Sequence, residues 1–424
     1  MSPDAGMTPD AVVIGAGLAG LTCALRLAES GRKVAVVAAG AGSLHLGGAT
    51  IDILGYDPGV VTSPAAALGP FVREHPEHPY ARVYPSLWAE AIEWLRARCA
   101  PLELTGSVDD NLMLPTAAGA PKPSALVPRS LAEGDLRIGG RVALVSFSAL
   151  KDFYPRLAAA NLNRAEASST GGIEARAIEL LGTVGGEADP GTLRLARAFE
   201  EAAFRDEIAA RLEGRIEPGE RVGFPAVLGL QRSAEVVAEL AERLGAAVFE
   251  IPTLPPSIPG MRLQALLSRA LKGAGGRVVL GAAVVSSTSH NGRLQAVSTD
   301  TGARRSSHEA GHFIVATGGV SAGGVTLDSS WAFQESALDL PLAGVPPPGT
   351  ERFCPDVFGS HPAAPVGVAV DEEWRPLDSD VRVVYDNVRV CGATVAGAEP
   401  HREKSGNGIS LVTGYAAADA ILRS

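Results

Sequence analysis

Between Ala11 and Val37 the chain changes its hydrophobic period twice. Ala11-Val12-Val13-Ile14 is a continuous apolar run, the pattern of a strand buried on both faces. Leu21, Ala24, Leu25 and Ala28 then recur at helical spacing, and Gly31 stands where a helix end favours a left-handed residue. Val34 to Val37 returns to the strand pattern. Between the first strand and the helix lies Gly15-Ala16-Gly17-Leu18-Ala19-Gly20. In this strand–turn–helix–strand setting the glycine spacing predicts a dinucleotide-binding unit. Gly15 permits the tight turn, Gly17 lets backbone approach a phosphate, and Gly20 lets helix and strand pack closely. Leu18, Ala19 and Gly20 present N–H groups at the positive end of the helix. One expected piece is missing. The second strand ends Val37-Ala38-Ala39-Gly40, without the carboxylate that usually binds the adenosine ribose.

The remaining pattern alternates strands and helices. Ser43 to Thr50 is a small-residue loop in which Ser43, Gly47 and Gly48 are candidates for backbone contact with a cofactor. A helix is expected over Leu87–Leu95. Residues 111–137 are Pro-rich and read as a crossing between domains. Arg141–Val145 reads as a strand followed by a helix through Leu162. Leu193–Leu212 reads as one long amphipathic helix with Glu200, Glu201 and Arg205 on a solvated face. Pro252, Pro255, Pro256 and Pro259 stiffen the loop that leads to Arg262. Phe313–Ala316 is a buried strand ending at Thr317 and Gly318, and Val388–Val390 is another, ending near Gly392. Gly406 and Gly408 open a last helix that begins in earnest at Ile409. The expected fold class is α/β: a Rossmann-like FAD/NAD(P)-binding domain (1–105 and 256–424) with an inserted second α/β domain (106–255). One flavin site accounts together for the glycines at 15–20, 47–48, 318–319 and 406–408.

Composition narrows the function. Of 424 residues, 46% are hydrophobic and only 5% aromatic, so an aliphatic core is expected and disorder is excluded. The 49 Gly follow no three-residue period, which excludes a collagen-like chain. Lys+Arg at 37 against Asp+Glu at 47 gives −10, and no basic stripe is present, so no nucleic-acid partner is expected. Cys23, Cys99, Cys354 and Cys391 form no C-x-x-C pair; neither an iron–sulfur cluster nor a metal site is expected, and a reducing cytosol fits. No apolar run approaches the ~18 residues of a membrane span. The first apolar stretch follows Asp4 and Asp10 rather than basic residues, so it reads as fold and not as a signal peptide.

These segments together resemble the B subunit of anaerobic glycerol-3-phosphate dehydrogenase. The markers are Leu44-His45 with Asp52, then His78-Pro79-Tyr80, and above all Pro252-Thr253-Leu254-Pro255-Pro256-Ser257 followed by Gly260 and Arg262-Leu263. The resemblance implies oxidation of sn-glycerol 3-phosphate to dihydroxyacetone phosphate, with electrons passed to membrane quinone. It implies FMN as the cofactor, with FAD as the alternative. It also implies a larger FAD-bearing A subunit and a membrane-associated, iron–sulfur C subunit as partners, with this chain on the cytoplasmic side and carrying no transmembrane segment. FMN would account for the missing ribose acid but leaves the Gly15–Gly20 turn without its diphosphate.

Such an oxidation needs a base for the hydroxyl proton. His45, His78 and His401 are candidates, and His45 is preferred because it lies in the small-residue loop. Arg262 and Lys404 are the candidates for the substrate phosphate. Two other classes remain open: an electron-transfer flavin subunit without a substrate site, and a stand-alone FAD oxidoreductase of the fumarate-reductase type.

Overall fold

The apolar runs become the strands of two parallel sheets in the computed structural model, which describes residues 8–165, 171–182, 187, 189–357 and 359–424. The strands are β1 (Ala11–Ile14), β2 (Val34–Ala38), β3 (Gly140–Phe147), β4 (Ile173–Leu180), β5 (Arg221–Pro225), β6 (Val248–Ile251), β7 (Arg277–Leu280), β8 (His312–Val315) and β9 (Val388–Val390). The helices that matter most are α1 (Leu18–Glu29), α2 (Ile258–Gly273) and α3 (Gly406–Arg423). The chain divides into two compact units, one of Met1–Ser43, Ala67–Arg98 and Leu266–Ser424, the other of Leu44–Ala66 and Cys99–Ala265.

In the first unit the sheet order is β7-β2-β1-β8-β9, all parallel. The two glycine-bearing strand ends are neighbours, since Ile14 on β1 pairs with Val315 on β8. Helix α3 packs closely on α1: a Cβ at Gly414 would stand 2.5 Å from Ala19 O, so only glycine fits that crossing. The Arg26 guanidinium lies 4.3 Å from the centre of the Tyr415 ring and 2.7 Å from Asp419, tying the two helices on their outer side. Helix Pro85–Arg98 joins them through Trp94, whose indole N–H donates to Glu29 at 2.8 Å.

The second unit has sheet order β4-β3-β5-β6, again all parallel. Its core is less aliphatic than composition suggests, because Phe147, Phe199, Phe224 and Phe249 are all concentrated there. The Phe249 ring is admitted by Gly134 and Gly223, where a Cβ would approach it to 2.7 Å.

Two expectations are corrected. The segment expected as one helix over Leu193–Leu212 forms two, Thr192–Phe199 and Ala202–Leu212. The break is held by Glu200, whose carboxylate accepts from the amides of Leu230 and Gln231 at 2.7 Å each. Arg205, expected on a solvated face, is buried and donates to Phe199 O and Glu239. The Pro-rich stretch 111–137 is no crossing between units. It lies inside the second and pairs Leu112–Pro115 with Pro121–Ser124 as a hairpin.

Three of the four cysteines are buried. Burial pushes the thiols of Cys99 and Cys391 up to about 12, and that of Cys23 upward as well. At pH 8 these three stay protonated and shielded, so iodoacetamide should alkylate the folded chain at Cys354 alone. Peptide mass spectrometry reads this directly, with the other three labelled only after denaturation.

Candidate functional site

In the first unit the structure brings together segments that lie far apart in sequence. Gly15 has φ +119°, and a Cβ there would overlap Ala316 O. A Cβ at Gly20 would overlap Gly15 O. These two glycines are therefore consumed by backbone packing between the first loop, α1 and the end of β8. Gly17 differs: its Cβ position meets nothing within 4 Å. It is also the N-cap of α1, which has no side-chain cap and no acidic residue in its first turn. The loop that follows β2 closes one side, since a Cβ at Gly42 would stand 2.8 Å from Gly17 N. The result is a cradle of backbone at the positive end of a buried helix, with open space where a Cβ at Gly17 would stand. That is the geometry a diphosphate requires, and the residues present fit a flavin dinucleotide.

The strand ends beside the cradle are locked to one another. Gly318 N donates to Thr394 Oγ1 at 2.8 Å, and a Cβ at Gly392 would stand 2.8 Å from Ala19 Cβ. Gly392 N donates to Thr413 Oγ1 at 2.7 Å, joining the turn after β9 to the second turn of α3. Thr317, Gly318, Gly392, Gly406, Gly408 and Ile409 thus share the first unit with Gly15, Gly17, Leu18, Ala19, Gly20 and Ser43. Behind Thr317 lies Glu335, buried, with its carboxylate accepting from Ala337 N (3.0 Å) and Leu338 N (2.7 Å). Burial raises its proton affinity above the ordinary carboxylate range, and those amides oppose the rise. The end of β2 carries no carboxylate in the structure either, only exposed Ala39 and Gly40.

Gly47, Gly48, His45 and Arg262 belong to the second unit. There the Pro-rich loop clasps the Leu44–Leu46 turn. Ser257 N donates to His45 O at 2.7 Å, Gly260 lies where a Cβ would overlap Leu44 O, and Gly48 has room for no Cβ against Pro252. The half-buried His45 is thereby held by its backbone, and the Ser257 hydroxyl beside it is buried without a partner among the described residues. The phosphate role expected of Arg262 does not agree with its placement. Its guanidinium is buried, pairs with Glu250 at 2.6 Å and also donates to Gly229 O and Leu228 O. Lys404, in the first unit, sits at φ +50° and donates to His401 O at 2.7 Å.

Sequence reasoning missed Lys122, which donates to Asp52 (2.5 Å) and Thr50 (3.0 Å) while Ser124 donates to Asp52 at 2.7 Å. The signal was there, because Lys is rare in this chain and Asp52 belongs to the Leu44-His45 marker. It also missed Ser405 and Glu403, which flank Lys404. No group of three or more His, Cys, Asp or Glu able to hold a metal occurs among the described residues.

With this geometry in hand, the comparisons with known proteins are specific. Residues 10–409 match the family model of the FAD binding domain. The chain is 34% identical over 427 residues to a protein of Halobacterium salinarum named as the probable B subunit of anaerobic glycerol-3-phosphate dehydrogenase, covering 97% of each. It is 31% identical over 435 residues to the B subunit of the Pectobacterium atrosepticum enzyme of that name, covering 98% of this chain and 99% of the relative. Among solved structures it aligns with 3-ketosteroid Δ1-dehydrogenase from Sterolibacterium denitrificans, with TM-score 0.45 and 12% identity over 98% and 99% of the two chains. The matched family binds FAD, whose diphosphate suits the Gly15–Gly20 cradle; FMN as the primary flavin is not supported.

The three cradle glycines should separate stability from binding. Gly17→Ala should leave the apoprotein within about 1 kcal/mol of the parent yet weaken FAD binding at least about tenfold, because its Cβ enters the open space. Gly15→Ala should cost at least about 3 kcal/mol of stability, since the added carbon meets backbone at a strained φ. Urea titration and flavin fluorescence titration measure the two quantities. Arg262→Ala should destabilise by about 3–5 kcal/mol by stranding the buried Glu250 carboxylate, again read by urea titration.

Proposed function

The chain belongs to the FAD binding domain family and, across nearly its full length, to that of anaerobic glycerol-3-phosphate dehydrogenase B subunits; on that premise we propose that this flavin-dependent dehydrogenase oxidises sn-glycerol 3-phosphate to dihydroxyacetone phosphate. The observation that carries the cofactor half is the Gly17 cradle: uncapped, free of acid, and open where a Cβ would stand. Gly17, Leu18 and Ala19 hold the FAD diphosphate, on a loop and helix start that the close packing of Gly15 and Gly20 makes possible. Ser43, Thr317, Gly318, Gly392, Gly406, Gly408 and Ile409, all of the first unit, bring backbone to the rest of the cofactor. When bound, the flavin supplies a hydride acceptor for C2 of the alcohol.

His45 takes the hydroxyl proton in this reading. The clasp of Ser257 N on its carbonyl supports the role, because a base must be held still to meet its proton. Electrons then leave toward membrane quinone through partners, a larger FAD-bearing A subunit and an iron–sulfur, membrane-associated C subunit, with this chain at the cytoplasmic face. None of the helices among the described residues is long and apolar enough to cross a membrane.

One observation favours a second reading. Arg262 is bound to Glu250 and Lys404 to a backbone carbonyl, so the two cations nominated for the phosphate are already engaged. The chain would then be a relay that receives electrons from its partner, without a substrate site. Anaerobic mixing of the FAD-loaded chain with glycerol 3-phosphate separates the readings. Bleaching of the flavin band by substrate alone is the expected result, and His45→Ala should slow it about 10²–10⁴-fold. Bleaching that waits for the larger partner would establish the relay instead.

A further inference from the structure

We propose that Lys122 binds the phosphate of the substrate. The proposal rests on the dehydrogenase reading above and supplies the cation that reading needs. Arg262 cannot serve: it is 4% exposed, and all three guanidinium nitrogens already donate, to Gly229 O, Glu250 and Leu228 O. The chain has five lysines. Lys33, Lys151 and Lys272 are exposed, and Lys404 lies in the first unit. Lys122 belongs to the second unit with His45, and among the described residues it is the one lysine paired with a carboxylate.

Lys122 and Ser124 stand two apart on the hairpin strand Pro121–Ser124, so the pleat puts both side chains on one face. That face meets Asp52. Ser124 donates to Asp52 Oδ1 at 2.7 Å and Lys122 Nζ to Oδ2 at 2.5 Å, so each carboxylate oxygen has its own donor. The backbones are pinned beside them, with Ile51 N donating to Leu126 O at 2.8 Å and Leu126 N to Ile51 O at 3.2 Å. Thr50 Oγ1 takes a second Nζ proton at 3.0 Å. An ammonium has three donors, and the third has no protein partner among the described residues. The Lys122 side chain is 27% exposed against 13% for Asp52, so the cluster presents its N–H to a ligand ahead of its carboxylate. An unrestrained lysine would lose rotamer freedom on meeting a phosphate, and here two bonds have removed that freedom beforehand. Asp52 orients the ammonium and leaves it a donor to give.

The base stands on the same segment. His45 O is held by Ser257 N, Gly48 packs on Pro252, and Thr50 Cγ2 lies 4.0 Å from where a Gly48 Cβ would stand. Residues 45 to 52 are thus fixed at both ends, with His45 at one and the two holders of Lys122 at the other. The Leu44-His45 and Asp52 marker then has a chemical sense: proton removal and phosphate binding are built on one rigid stretch of chain.

Dihydroxyacetone phosphate and dihydroxyacetone differ by the phosphate alone, so calorimetric titration of the FAD-loaded chain with each isolates this contact. In Lys122→Met the dissociation constant for dihydroxyacetone phosphate should rise about 10- to 150-fold, the span of one lost charge-assisted hydrogen bond. That for dihydroxyacetone should stay within about threefold, and K122R, which keeps the charge, should recover most of the loss. In flavin bleaching by glycerol 3-phosphate, K122M should raise the half-saturating concentration by more than it lowers the limiting rate. Should K122M fail to fold by urea titration, K122Q carries the same comparison. Equal weakening of both ligands, or none for the phosphate ester, overturns the role of Lys122 and leaves the dehydrogenase reading standing. A parent chain that binds neither ligand, and whose flavin glycerol 3-phosphate does not bleach, overturns that reading and the Lys122 site with it.

Discussion

The first unit depends on one close approach, that of the Gly15 backbone to the carbonyl of Ala316. No residue but glycine can stand there, since any Cβ would overlap that oxygen and φ is +119°. From this contact the rest follows in order. The loop after β1 can pass under the end of β8, and α1 can start immediately. The turn after β9 can then reach Ala19, and α3 can lie against α1 through Gly414. Ordinary side chains at these points would separate the strand ends by the width of a methyl group or more, and the cradle at Gly17 would have no walls. The abundance of glycine is partly the record of this crowding. Of the three glycines in the first loop, Gly17 alone has space around it.

What was legible in the sequence was local. The strand runs, the glycine turn and the last helix all depend on neighbours within a few residues, and periodicity reports such neighbours. The family markers were legible as words but not as geometry. Nothing in Leu44-His45 or in the Pro-rich loop says that Ser257 N reaches His45 O. What was misread depended on distant partners. Arg262 looked like a cation available to a phosphate because Glu250 and the Gly229 carbonyl are invisible to spacing. Glu200 and Arg205 looked solvated for the same reason, their partners being the 230–231 amides and Glu239. A charged residue on a helical pattern predicts a solvated face only when nothing folds back onto it.

Arginine explains part of that failure. The chain has five Lys among its 37 basic residues, so arginine supplies nearly all its positive charge. A guanidinium offers five donors in a rigid plane, which suits bracing work inside a fold as well as anion binding outside it. Arg262 on Glu250, Arg205 on Glu239 and Arg176 on Glu220 are all struts of the second unit. In such a chain a lone arginine is weak evidence for a phosphate site. A lysine carries more information, because its rarity leaves fewer structural roles to account for it, and Lys122 with Asp52 and Thr50 is the instance here.

Helices α1 and α3 begin in different ways. A helix end that serves a ligand must not be satisfied by its own chain, yet a buried end without any partner is costly. At α1 the solution is subtraction: Gly17 has no side chain to cap with, and the space beside it stays open. At α3 the N-cap is Ser405, at φ −129° and ψ −5°, whose carbonyl accepts from Tyr80 and whose hydroxyl donates to Glu403. There the start of the helix is braced by side chains, a carboxylate, an imidazole and a phenol. Subtraction needs one residue and leaves a mark that any reader of glycine patterns can find. Bracing spreads over segments hundreds of residues apart, which is why His78-Pro79-Tyr80 and Glu403-Lys404-Ser405 make physical sense only when seen together.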